Sequence, residues 1–358
     1  MVSMSGLAEA LSKIAVSKRD YACNDSRANW AYHCFNRVNA KYCLDLGSGF
    51  GTITFPLSRF YDNAVSVDLD LHRLRFQILR NKAESGSLLI IRGDANTPAF
   101  PPDSFDLIVA NGLLEWIPLA ESSTKPEDVQ LEFLAQIRRM LRPGGCLYIG
   151  SENRFSILYL RGITDHGGLP FTSILPRRIS NCLTRYVLGV PYRTYTYSAD
   201  GYQRLLKRAG FTTTDIYWVM PHYNIPSYSG ILKDARGFMT FLRTVKHNER
   251  KAFYRFLIKV CAAMPIPLLG LMLRAFCPSF LIFAWKTEKR ALESQFLEET
   301  KARSFVRCNM DRSGRVTYLV LKDDGSRAAV DFQGLSDFAE QVESKDTPKR
   351  SEISSVLR

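Results

Sequence analysis

The chain has 358 residues, 46% of them hydrophobic, and a formal net charge of +13. Such length and apolar content suffice for a full α/β core and exclude a wholly disordered chain. Its eight cysteines show no Cys-x-x-Cys spacing, and Cys43 and Cys146 sit in apolar runs, which points to buried thiols and away from a disulfide scaffold or a zinc site.

Residues 1–39 read as a helical cap with Leu7, Ala10, Leu11 and Ile14 on one face. No basic stretch followed by an apolar core marks a secretory signal there, so a cytoplasmic location is expected. A short apolar strand then runs into Asp45 and the alternating glycines Gly47, Gly49 and Gly51, with Ser48 between the first two. A dinucleotide loop requires Gly-x-Gly-x-x-Gly, and Thr52 stands where its third glycine belongs. A second strand over residues 64–70 ends in Asp68, Leu69 and Asp70, where a carboxylate can accept hydrogen bonds from a ribose diol. Residues 88–95 read as a third strand ending at Asp94 and Ala95, and 105–112 as a fourth ending at Asn111. A helix over about 129–141 stops at Pro143, Gly144 and Gly145, and a fifth strand follows at 146–150.

An insertion is expected over about 152–198, holding Asn153, Arg154, Asp165, His166, Pro170, Phe171 and a tyrosine-rich run from Tyr192 to Tyr197. Helix 202–209 and strand 214–220 follow, then a second insertion over about 222–278 and a last strand at 279–286. Within 151–290 there are 21 Lys and Arg against seven Asp and Glu, so the positive charge belongs to the insertions and the rest of the chain is close to neutral. The uncharged run 261–273 contains Pro265 and Pro267 and falls short of the ~20 residues a spanning helix needs. A helix lying on a membrane face, with Arg250, Lys251, Arg255 and Lys259 towards anionic lipid, is the alternative use of this stretch. Residues 291–342, with turn signals at Asp311–Gly314 and Asp323–Ser326, suggest a small antiparallel appendage, and 343–358 a disordered tail.

The order of these strand ends, with Asp45, the three glycines, Asp68 and the Leu-Arg-Pro-Gly-Gly run before strand five, resembles the class I S-adenosylmethionine (SAM) methyltransferases over about residues 40–290. The resemblance implies an α/β, Rossmann-like, seven-stranded, mostly parallel sheet whose last strand is antiparallel, with substrate-covering insertions. It implies S-adenosyl-L-methionine as cofactor, held by Asp45, Gly47, Ser48, Gly49, Gly51, Asp68, Leu69, Asp94, Ala95 and Asn111, with Asp94 at the adenine amino group and Asn111 at the reacting end. Asn-Arg, Asp-His-Gly and Pro-Phe in the first insertion, with the Pro-x-Tyr-x-x-Pro run from Pro221 to Pro226, look like the branch associated with bacterial surface-saccharide synthesis.

Methyl transfer from a sulfonium asks the protein to align an acceptor and remove one proton. His166 is the first candidate base, with Asp165 as its orienter or as an alternative base, and His222 is the second. Tyr192, Tyr195 and Tyr197 are either stacking platforms for sugar faces or a strand packing on its neighbour. No His/carboxylate cluster has ligand spacing along the chain, so no metal is expected. The favoured partner is a small-molecule or saccharide acceptor, anionic or lipid-linked. Nucleic acid is the less favoured partner: an RNA methyltransferase is the alternative for which the basic insertions speak, and the lack of an RNA-binding signature and of an Asn/Asp-Pro-Pro-Tyr run speaks against it. A binding protein with a relict fold is disfavoured by the completeness of the cofactor residues.

Overall fold

The computed structural model describes residues 41–84, 88–244, 252–287, 302–310, 316–322 and 326–332. The expected N-terminal cap and the tail from 343 lie outside these residues. One sheet carries the whole described chain. Its strands are β1 (Tyr42–Leu46), β2 (Asn63–Asp68), β3 (Leu89–Arg92), β4 (Phe105–Asn111), β5 (Leu141–Glu152), β6 (Thr213–His222), β7 (Ile225–Ile231), β8 (Ser279–Trp285), β9 (Ala302–Met310), β10 (Val316–Lys322) and β11 (Arg327–Phe332). Their order across the sheet is β11-β10-β9-β7-β6-β8-β5-β4-β1-β2-β3.

The strands β1 to β5 pair in parallel, and β8 runs antiparallel between β5 and β6. That is the expected α/β arrangement with a reversed last strand. The central strands are apolar without alternation because both faces are covered. Successive residues feed opposite cores: Leu44, Ile108, Leu147 and Ile149 face one, Cys43, Leu107, Val109 and Tyr148 the other. Among the described cysteines, Cys43, Cys146 and Cys277 are buried.

The helices include α1 (Thr54–Phe60) after β1, α2 (Leu71–Ala83) after β2, α3 (Pro126–Met140) after β4, α4 (Ile157–Leu160), α5 (Arg177–Leu188) and α6 (Ala199–Arg208) before β6, and α7 (Ala235–Thr244), α8 (Ala252–Ala263) and α9 (Ile266–Phe276) before β8. Pro126 at its first turn, Glu127 and Asp128 beside it, and Arg138 and Arg139 in the last turn all suit the dipole of α3, which buries Phe133, Leu134, Ile137 and Met140. Pro143-Gly144-Gly145 does not stand between this helix and the next strand, because β5 already starts at Leu141. The apolar run 261–273 breaks at Pro265 into α8 and α9, and no described helix is long and apolar enough to cross a membrane.

The sheet is wider than seven strands. Part of the stretch expected as a second insertion is β7, which turns back on β6 after Tyr223 and Asn224 and pairs antiparallel with it. Strands β9 to β11 continue from β7 through a pairing of Ser229 with Arg307 and are antiparallel to one another. Trp218 on β6 anchors this half of the sheet. It is 0% exposed, and its ring meets Phe238 and Phe241 of α7. Its indole N–H has no hydrogen-bond partner, so its contribution is apolar burial and packing. Trp218→Ala should therefore cost about 3–5 kcal/mol, read as a lower denaturation midpoint with an unchanged m value in urea.

Candidate active site

The first crossover loop is built from glycines with distinct jobs. Gly47, Gly49 and Gly51 all have positive φ, of 67°, 59° and 75°, a region costly for other residues. A Cβ on Gly51 would lie 2.7 Å from the Phe55 ring, whereas one on Gly49 would meet nothing within 4 Å. Gly51 is thus a packing glycine and Gly49 opens onto free space. The loop is fastened from behind: Gly49 N–H donates to Asp68 Oδ2 (2.7 Å), and Gln77 Nε2 donates to Gly49 O (2.7 Å). Ser48, Ser66 and Gln77 form a buried hydroxyl–amide triangle with sides of 2.7, 2.7 and 3.0 Å.

In front of this loop lies a cavity of about 620 Å³ at the carboxyl ends of the parallel strands, where open α/β sheets bind their ligands. It is lined by Asp45, Gly47, Ser48, Gly49, Asp68, Leu69, Asp94, Ala95 and Asn111, all expected from sequence. Gly51 does not line it, contrary to expectation, because its place is against Phe55. Sequence reasoning missed Arg73, Asn96 and Tyr223 among the lining residues, whereas Trp116 belongs to the run 113–117 after β4 that resembles the family's motif at the reacting end. Asp68 Oδ1 accepts from Asp70 N–H (2.8 Å), so both its oxygens already take one backbone N–H and retain a lone pair each for a ligand. Asp94 Oδ1 accepts from the backbone N–H and side-chain amide of Asn96, each at 2.9 Å. Asn111 Oδ1 is buried without a partner.

Asp45 is buried, and Thr54 Oγ1 donates to its Oδ2 at 2.6 Å. Burial outweighs that bond and, with the charge of Asp68 adding to it, pushes the Asp45 carboxyl up to about 7. An acid whose pKa is higher folded than unfolded stabilises the fold fully below its unfolded value, near 4, and this stabilisation is lost as pH rises through about 7. Asp45→Asn should flatten that fall, which reaches at most about 1.4 kcal/mol per pH unit. Urea titrations of both proteins between pH 4 and 8 would show it, and parallel curves would refute it.

Beyond Trp116 and Tyr223 the fold gathers four ionisable groups from four segments. Glu115 follows β4, Glu152 ends β5, His166 stands in the first insertion and His222 ends β6. His166 Nε2 lies 2.8 Å from Glu152 Oε2 and 3.6 Å from Glu115 Oε1, and His222 Nε2 lies 3.3 Å from Glu152 Oε1. The His166 ring packs on Trp116 at 4.7 Å and the His222 ring on Tyr223 at 4.4 Å, which ties the cluster to the cavity lining. Burial and the charge of Glu152 push Glu115 up to about 8. Burial would raise Glu152 too, but hydrogen bonds from His166 and His222 and their charges hold it down to about 2. For His166, burial is outweighed by the bond to Glu152, and its pKa rises.

Asp165 does not orient His166. Its oxygens accept from Gly167 N–H (2.7 Å), Thr172 Oγ1 (2.8 Å) and Tyr192 OH (3.1 Å), which makes it a brace of its own loop, and the carboxylate on His166 is Glu152. The tyrosine run is no strand either. Arg177 lies 4.1 Å from the Tyr195 ring centroid and 5.6 and 5.8 Å from those of Tyr192 and Tyr197, while Tyr192 is only 3% exposed. Several arginines of the basic insertion are likewise internal: Arg154 donates to the carbonyls of Ser173 and Leu175, and Arg193 to those of Pro118, Ser122, Glu121 and Thr124. Asn153 ties the same insertion to the Ala275 and Cys277 carbonyls.

Residues 44–149, which carry the glycine loop, the strand-end acids and Asn111, match the family model described as a methyltransferase domain. These residues belong to the class I methyltransferases. The chain is similar to curated methyltransferases over part of its length. A fatty-acid O-methyltransferase of Mycolicibacterium smegmatis is 30% identical over 122 residues, which covers 34% of this chain and 40% of that protein. Phthiotriol/phenolphthiotriol dimycocerosates methyltransferase 1 of Mycobacterium ulcerans is 26% identical over 159 residues, 44% of this chain and 54% of that protein. The chain therefore spans about half the length of the curated relatives it matches. Among solved structures, a SAM-dependent methyltransferase from Thermotoga maritima aligns with a TM-score of 0.42 at 13% identity, covering 75% of this chain and 92% of that one.

The methyl donor of this family is S-adenosyl-L-methionine. The residues present fit it. Gly49 leaves space in the cradle that a Cβ would enter, Asn111 Oδ1 is a buried acceptor awaiting a donor, and Asp68 and Asp94 stand at successive strand ends with acceptor capacity left.

Proposed function

We propose that the chain methylates an oxygen of a small acceptor, a saccharide hydroxyl or a comparable group on an anionic or lipid-linked metabolite, with S-adenosyl-L-methionine as donor. The observation that carries this reading is the adjacency of a cofactor-sized cavity and the Glu115/Glu152/His166/His222 cluster, joined through Trp116 and Tyr223. Asp68 would hold the ribose, Asp94 with Asn96 the adenine edge, and the backbone of Gly47 and Gly49 the amino-acid portion. The bound donor supplies an electrophilic methyl group on a good leaving group, so the chain's own task is alignment and activation of the acceptor.

The cluster suits an oxygen acceptor. A hydroxyl must lose its proton as it is methylated, and a carboxylate–imidazole group at the end of the cavity can hold that hydroxyl and draw the proton off. The names of the M. smegmatis and M. ulcerans relatives support a lipid-carried acceptor, and the motifs of the first insertion support a saccharide. Mass spectrometry of glycans and lipid-linked precursors from cells with and without the gene tests both. A species that loses one methyl group without the gene identifies the acceptor, and unchanged profiles of both classes would contradict the reading.

A further inference from the structure

Three ligand-type atoms in the cluster point at one another. One ligand-type atom from each of Glu115, Glu152 and His166 lies within 4.8 Å of the other two, and His166 Nε2 stands 3.6 Å from Glu115 Oε1 and 2.8 Å from Glu152 Oε2. Each carboxylate has its other oxygen secured elsewhere: Ser151 Oγ donates to Glu115 Oε2 (3.4 Å), and His222 Nε2 stands 3.3 Å from Glu152 Oε1. His222 Nδ1 accepts the Asn224 N–H (3.2 Å), so its Nε2 is the nitrogen that donates to Glu152. Glu115 Oε1, in a side chain that is 0% exposed, is buried without a side-chain hydrogen bond, and the His166 ring faces it at 3.6 Å. With a second carboxylate in the same buried cluster and one imidazole facing both, further positive charge beside these oxygens would be stabilising.

We propose that Glu115, Glu152 and His166 hold a divalent cation whose open positions take the oxygen of the methyl acceptor. The proposal deepens the reading above and rests on it. Two carboxylates and one imidazole suit Mn²⁺, Fe²⁺ or Zn²⁺, while the nitrogen ligand and the small number of oxygens disfavour Ca²⁺. Ser151 and His222 then act as outer supports that aim the ligating carboxylates, as such partners do in metal sites. Trp116 packs on the His166 ring and also lines the cavity, so a cation held by these three residues would lie next to it. A hydroxyl held there would be more acidic than a free one, which would ease the loss of its proton. The three ligands are separated by 37 and 14 residues in the chain, and no linear spacing announces them. This reverses the expectation that no metal would be bound.

The test is calorimetric titration of the full chain, stripped with EDTA, using MnCl₂ and in parallel ZnCl₂, with Mn²⁺ electron paramagnetic resonance as a second readout. One cation per chain is expected, with affinity reduced at least about tenfold in Glu115→Gln. His166→Gln, at a partly exposed side chain, should show the same loss and covers the case in which Glu115→Gln does not fold. SAM titration of the same samples separates the two ideas. SAM binding without Mn²⁺ or Zn²⁺ uptake by the wild type overturns the cation site alone, as does unchanged metal affinity in folded variants. Absence of SAM binding overturns the methyltransferase reading itself.

Discussion

Gly49→Arg should abolish SAM binding while the sheet stays folded. The direction in which a side chain leaves position 49 is open, with nothing within 4 Å of its first carbon, so the new guanidinium enters the cavity and does not wedge the core apart. Positive φ at this position adds strain of order 1 kcal/mol, well within the reserve of a sheet this size. Loss of cofactor affinity is then expected to exceed a thousandfold, because the arginine occupies the space and brings positive charge against a sulfonium. Equilibrium dialysis with labelled SAM, beside far-ultraviolet circular dichroism, checks both halves. Retained binding would mean that the cofactor lies elsewhere. By contrast, Gly51→Arg should unfold the first crossover, since its side chain meets Phe55 and Gln77 at once.

His166→Ala should leave SAM affinity within about twofold of wild type and lower turnover by two orders of magnitude or more, the usual scale for a side chain that handles a reacting proton or its surrogate. The separation follows from geometry. His166 touches Trp116, Glu152 and Glu115 but does not itself line the cofactor cavity. Its removal strips the 2.8 Å partner from Glu152 and leaves Glu115 facing a second carboxylate with less positive charge nearby. Single-turnover assays with preloaded SAM isolate the effect on transfer from any effect on acceptor affinity. Full turnover in the variant would remove His166 from the active cluster. Asp165→Ala should behave differently, loosening the insertion through Thr172 and Tyr192 and acting on turnover only through that loop.

The cofactor half of this site was legible in the sequence because its residues are local to strand ends. Asp45, Asp68, Asp94 and Asn111 each close an apolar run, and a strand followed by a turn and a helix puts such residues on one edge of a parallel sheet. The cluster beside it was legible only in part, through His166 and His222. Glu115 and Glu152 are the two acids of the cluster, yet nothing in their spacing marks them as partners, and only the insertion folding back brings His166 against them both. Sequence proximity suggested Asp165 as the partner of His166, but successive loop residues point different ways, and Asp165 is consumed by its own turn. The alternating tyrosines looked like a strand for want of any sign that Arg177, fifteen to twenty residues earlier, supplies the cation they surround. Strand β7 was hidden because Pro226 discourages a strand reading, although a proline is tolerated at the second residue of a strand that begins after a tight turn.

The central claim is that the cavity before Gly49 is a SAM site, and calorimetric titration of the wild-type chain tests it most directly. SAM should bind once per chain and be displaced by S-adenosylhomocysteine, with no competition from NAD. Heat of binding from NAD, or none from either adenosyl compound, would contradict the account.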